Sequence, residues 1–81
     1  MRVRLHFFAL YRDMAGTDAT DVELPDGATA AELIGRLRDR GGSLARLPAE
    51  PAVAVNLAYA PLDTVLRDGD EVALLPPVAG G

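Results

Sequence analysis

Thr29-Ala30-Ala31-Glu32-Leu33-Ile34-Gly35-Arg36-Leu37-Arg38-Asp39-Arg40-Gly41-Gly42 reads as one amphipathic helix, Thr29 to Arg40, with both ends marked. Thr29 is an N-cap whose hydroxyl can accept an early backbone N–H, and Glu32, three residues on, completes a capping box. Gly41-Gly42 stops the helix. Ala30, Leu33, Ile34 and Leu37 recur three and four apart and form an apolar stripe. Arg36, Arg38 and Arg40 form a solvated end, favourable beside the negative pole of the helix dipole. The glycine pair is no phosphate loop, because no strand precedes it at a Walker or dinucleotide spacing.

Strands are expected on both sides of this helix. Upstream, Arg2 to Phe8 alternates, with Val3, Leu5 and Phe7 on one face and Arg2, Arg4 and His6 on the other. Phe8 falls on the polar face, where an aromatic needs a cover or a partner. A short helix over Ala9 to Ala15 ends at Gly16. A second strand, Thr20 to Leu24, turns Val22 and Leu24 inward before the Pro25-Asp26-Gly27 turn. Downstream, Ser43 to Pro51 is a loop with an irregular turn around Leu44 to Leu47. Ala52 to Asn56 is a third strand burying Val53 and Val55, and a short pairing segment lies near Ala58 to Ala60. Asp68-Gly69-Asp70 turns into a last strand, Glu71 to Leu75, with Val72 and Leu74 inward. Two strands, a helix and two more strands suggest a small sheet curled around one helix, an α+β fold.

Eighty-one residues make room for one domain with a modest core. With no cysteine the chain forms no disulfide and carries no persulfide of its own. All eight basic residues are arginine, so no side-chain amine serves for a Schiff base or an isopeptide bond. A net charge of −4 argues against a nucleic-acid binder and favours a partner with a basic surface. No apolar run approaches the roughly 20 residues that span a bilayer, and the start reads as strand rather than signal peptide. A cytoplasmic protein is expected. His6 stands alone without metal-ligating neighbours, and Asp68, Asp70 and Glu71 read as turn chemistry rather than a cation site. No metal ligands are assigned.

Several stretches resemble the small subunit of molybdopterin synthase, the MoaD family within the MoaD and ThiS group of ubiquitin-like sulfur carriers. They are Phe7-Phe8-Ala9 with Arg12, Gly16-Thr17-Asp18-Ala19-Thr20, Ala54-Val55-Asn56, and Leu66 followed by Asp68-Gly69-Asp70-Glu71-Val72-Ala73. Above all there is the ending Pro76-Pro77-Val78-Ala79-Gly80-Gly81. The resemblance implies a β-grasp domain over residues 1–75, a small mixed sheet packed on one main helix, and an extended, flexible tail over residues 76–81. It also implies a cycle. A partner adenylyltransferase (MoeB-like) uses ATP to join the Gly81 carboxylate to AMP, sulfur replaces AMP to give a thiocarboxylate, and the large subunit (MoaE-like) passes that sulfur to a cyclic pyranopterin phosphate. The working assembly would be a heterotetramer. The carrier alone would be inert and hold no cofactor, ATP being used by its partner.

The tail suits that chemistry on its own terms. A carboxylate is a poor electrophile and accepts sulfur only after activation, and an adenylate is protected from water only in a narrow site. Gly80 and Gly81 carry no side chains to obstruct such a site, while Pro76 and Pro77 end the strand and favour an extended exit. Pro76, Pro77, Val78, Ala79, Gly80 and Gly81 reach at most about 20 Å at roughly 3.3 to 3.6 Å each.

In a β-grasp sheet the first and last strands run side by side, so Phe8 and Leu75, both on outward faces, should be neighbours in a partner interface. By resemblance Tyr59 joins the same patch. Three other functions stand beside molybdopterin synthesis: a carrier for thiamine thiazole or another sulfur pathway, a ubiquitin-like modifier of protein lysines, and an interaction module whose terminal carboxylate does nothing. The absence of lysine excludes chains linked through the protein's own side chains.

Overall fold

A computed structural model describes residues 1–76. In chain order the elements are β1 (Arg2–Phe7), α1 (Ala9–Ala15), β2 (Ala19–Glu23), α2 (Ala30–Asp39), a 3-10 helix (Gly42–Arg46), β3 (Ala52–Val55), β4 (Ala58–Ala60) and β5 (Glu71–Leu75). The strands form one sheet in the order β2-β1-β5-β3-β4. Only β1 and β5 run parallel, and the other neighbours pair antiparallel. This is the expected mixed sheet, with the first and last strands side by side at its centre.

The register is set by what each strand buries. Val3 faces Val22, Leu5 faces Val72, and Leu74 lies between Phe7 and Val53. A slip of one residue would turn each of these sets to solvent. All of them share one core with Ala30, Leu33, Ile34 and Leu37, the stripe expected on α2. Burying each large aliphatic side chain contributes about 1.5–3 kcal/mol, so the stripe supplies more to α2 than helix propensity does. Loops close the core with Leu24, Ala28, Leu47 and Leu66, and α1 adds Tyr11. Val55 was expected to be buried like Val53 but is only partly so. It stands at the hairpin end of β3, beside a strand of three residues that gives little cover.

Helix α1 ends at Gly16, in the left-handed conformation (φ 75°, ψ 9°), whose N–H donates to the Arg12 carbonyl at 2.9 Å. At α2, Thr29 Oγ1 accepts the Glu32 N–H at 3.3 Å. Among the described residues Glu32 makes no return bond, so the capping box is half formed. Tertiary structure supplies what the box does not. The Ala30 N–H donates to the Thr64 carbonyl at 3.0 Å, the Ala31 N–H donates to the Leu62 carbonyl at 2.9 Å, and Thr29 bridges to Val65. The loop before β5 is thereby fastened to the start of α2.

Candidate functional site

The strands that bury Val3, Leu5, Phe7, Val53, Val72 and Leu74 carry a different set on the opposite face. On β2 and the start of β1 that set is charged. Arg2 Nε pairs with Glu23 Oε1 at 2.6 Å, and Arg4 Nη1 with Asp21 Oδ1 at 3.0 Å. Hydrogen bonding to Glu23, with the charge of that carboxylate second, raises the Arg2 guanidinium further above its ordinary pKa. One step on, His6 Nε2 meets Glu71 Oε1 at 3.0 Å. Beyond that pair the face turns apolar. Cross-strand pairing sets His6 beside Ala73, Ala73 beside Ala54 and Ala54 beside Tyr59, with Ala52 beside Leu75 in the next row.

Small side chains at the centre leave a depression of ≈ 240 Å³ lined by His6, Phe8, Ala54, Leu57, Glu71 and Ala73. Phe8 follows β1 in extended backbone (φ −125°, ψ 150°) and caps α1 without a side-chain hydrogen bond. The chain then turns sharply, with Ala9 at φ 49°, and Tyr11 enters the core while Phe8 remains 48% exposed. Tyr59 is 80% exposed. Leu75, the last residue of β5, is half-buried, as is Pro76. The β1–β5 register ends at Phe7 opposite Leu74, so Phe8 and Leu75 each lie one residue beyond the same rung. Tyr59 shares their face one row away, with the outward alanines between. Pro77, Val78, Ala79, Gly80 and Gly81 lie outside the described residues.

The apolar end of the face is held by a polar clasp. Asn56 Nδ2 donates to Asp70 Oδ1 at 2.9 Å, the Glu71 N–H donates to Asn56 Oδ1 at 3.0 Å, and the Asn56 N–H donates to the Glu71 carbonyl at 2.7 Å. Asp70 Oδ2 also accepts the Arg67 N–H at 2.9 Å, and Asp68 Oδ1 accepts the Arg2 N–H at 2.7 Å. Asp68 and Asp70 thus hold the turn and the Asn56 side chain, the turn role expected of them, whereas the Glu71 carboxylate, expected to share that role, turns to His6 instead. Among the described residues no His, Cys, Asp and Glu cluster of three or more could hold a metal ion.

Sequence reasoning missed Leu57 and gave His6 no chemistry. Asn56 and Leu57 make the two-residue turn between β3 and β4, and Leu57 is 102% exposed. An asparagine ending one strand pattern just before a short second one was the available signal for that turn. The outward places of Ala52, Ala54 and Ala73 follow from alternation once the register is known.

A ubiquitin-like β-grasp domain, with an apolar outer face beside the end of its last strand, is the class that this fold and face define. The ThiS family model matches residues 5–81, and the chain belongs to that family. The molybdopterin synthase sulfur carrier subunit of Haemophilus influenzae is 39% identical over 93% of this chain and 94% of its own. The subunit of the same name from Chlamydomonas reinhardtii is 35% identical over 100% of both chains. Among solved structures, a chain in the complex of subunits 1 and 2 of the Helicobacter pylori molybdopterin-converting factor is 30% identical, with TM-score 0.71 over 100% of both chains. SAMP1 of Haloferax volcanii is 30% identical, with TM-score 0.74 over 100% of both chains. The resemblance read from the sequence is borne out, and so is the fold.

Proposed function

We propose that the chain is the sulfur carrier subunit of a molybdopterin synthase, acting in the cytoplasm, and that its reacting group is the carboxylate of Gly81. The observation that carries this reading is the end-to-end similarity to proteins of that name. The exit of β5 at Leu75 and Pro76, beside the apolar face, supports it physically: docking through the face delivers the following residues into the partner.

In the first step a Gly81 carboxylate oxygen attacks the α-phosphorus of ATP on an adenylyltransferase of the MoeB kind, and pyrophosphate leaves. In the second, a sulfide-equivalent nucleophile adds to the activated carbonyl carbon, the C–O bond to AMP breaks, and a thiocarboxylate remains. On a large subunit of the MoaE kind that sulfur is transferred to the pterin precursor, and water restores the carboxylate. In this reading no side chain of the described residues is assigned a role as general acid or base. It brings the carbonyl carbon in one orientation to two active sites, through the reach of Pro76, Pro77, Val78, Ala79 and Gly80.

Intact-mass analysis after incubation with ATP, the adenylating enzyme and a sulfide source tests the reading. A gain equal to sulfur minus oxygen, placed on Gly81 by fragmentation, is expected. A gain elsewhere, or none, overturns it. The likeness to SAMP1, described as a small archaeal modifier protein in a second Haloferax volcanii structure, favours a second reading in which the activated carboxylate is joined to lysines of other proteins. Conjugates resistant to thiol and alkali, forming in place of the thiocarboxylate, would establish that reading instead.

A further inference from the structure

The turn between β3 and β4 holds Asn56 at φ 51° and Leu57 at φ 74°, both in the left-handed region. Two positive φ values in a two-residue hairpin turn are the pattern in which asparagine is favoured first and glycine second. Asn56 fits, and its side chain is compensated by the bonds to Asp70 and to the Glu71 N–H. Leu57 does not fit. Its Cβ is strained there, its side chain is fully in water, and no bond of the clasp involves it. Glycine at this position would remove both the strain and the exposed apolar surface, so the free domain gains nothing from leucine. Strain and exposure retained together on a surface point to a use outside the domain.

We propose that Leu57 is a docking residue for the large synthase subunit: with Phe8 it walls the alanine-floored depression, which receives one large apolar side chain of that partner. This rests on the carrier reading above. The floor, Ala54 and Ala73, is small and apolar, so an inserted side chain exchanges water for apolar surface there. Among the described residues the rim is polar where Glu71 keeps a side chain 63% exposed beside His6. The occupant therefore carries a basic group next to its apolar one. A second copy of this chain is a poor occupant, because two such faces would bring their Glu71 rims together between chains of net charge −4. The clasp from Asn56 to Asp70 and Glu71 fixes the hairpin tip in advance, so little ordering is left to be done on binding.

The full-length chain, with Leu57→Gly and Leu57→Met variants, is titrated against purified large subunit, and thermal unfolding and sedimentation are measured on the carriers alone. Leu57→Gly is expected to hold or raise the Tm of the free chain while weakening binding about tenfold or more. Leu57→Met, which keeps an apolar side chain, stays within about threefold of wild type. Undiminished binding by Leu57→Gly overturns the Leu57 assignment alone. So does a steep fall in its Tm, or a dimer of the free chain that disappears with the leucine. A wild-type chain that does not bind the large subunit overturns the carrier reading and takes this assignment with it.

Discussion

The two faces of the sheet are built from the same strands and serve different ends. The inner face, Val3, Leu5, Phe7, Val53, Val72 and Leu74, is sealed against α2. The outer face runs from ion pairs on β2 and β1 to alanines, Phe8 and Tyr59 on the other side. Alternation alone generates both, since neighbouring residues point opposite ways. The inner set is large and branched and has its partners within the domain. The outer apolar set is small at its centre and large at its edges, and its large members, Phe8, Tyr59 and Leu57, are left exposed. Stability should therefore reside on one side and recognition on the other.

The sharpest way to test that division is at the tail, whose terminal carboxylate is the reacting group in the carrier reading. One residue added after Gly81 converts the reacting carboxylate into an amide, and deleting Gly81 shortens the reach. Misplacement of about 1 Å costs roughly a hundredfold in rate. Sulfur transfer should fall at least that far, with no change in Tm or in binding of the large subunit. Retained transfer by the extended protein, with the added residue still attached by mass, would sever function from the carboxylate.

Next in size is the inner face. Leu33 on α2 is fully buried, so Leu33→Ala should cost about 2–5 kcal/mol, and a domain of this size should lose about 10 °C or more in Tm. Urea unfolding gives the first figure and a thermal melt the second. A loss below 1 kcal/mol would mean that α2 is not what the sheet is packed on.

How much of this was legible in the residues depended on whether a neighbour along the chain or a neighbour in space decided the matter. Thr29, Gly16 and the stripe on α2 were readable because caps and periodicity act within a few residues. The Leu62 and Thr64 carbonyls that complete the start of α2 were not, since they arrive from a loop some thirty residues on. Tyr11, Leu47 and Leu66 enter the core from segments too short or irregular to show a period. On the outer face, Phe8 and Leu75 stood out as large apolar residues in polar places. Leu57 did not, because its significance lies in a backbone angle, and the depression did not, because it is made of what Ala54 and Ala73 lack.

Phe8→Asp separates the two faces more finely. Phe8 sits at the N-cap of α1, where it makes no capping bond, and aspartate is among the favoured residues at such a position. The variant should keep its Tm, while a carboxylate placed in a desolvated apolar contact weakens binding of the large subunit about thirtyfold. Titration calorimetry and a melt on the same preparation decide it. Normal binding would remove Phe8 from the interface, and an unfolded variant would place it in the core.

The smallest effect belongs to the charged half of the outer face. Arg4 and Asp21 pair at 3.0 Å with side chains about half exposed, 52% and 49%. Water and salt screen such a pair, and ordering two side chains offsets part of the attraction. A double-mutant cycle with Arg4→Ala and Asp21→Ala should return a coupling of about 0.2–1 kcal/mol that shrinks as salt is added. The same variants should alter the association rate of the large subunit more than its dissociation rate, because rim charges steer encounter and hold little once the apolar contact has formed. A coupling above about 2 kcal/mol, insensitive to salt, would mean that the outer face also holds the fold together, and the division between the two faces would fail at the strand they share.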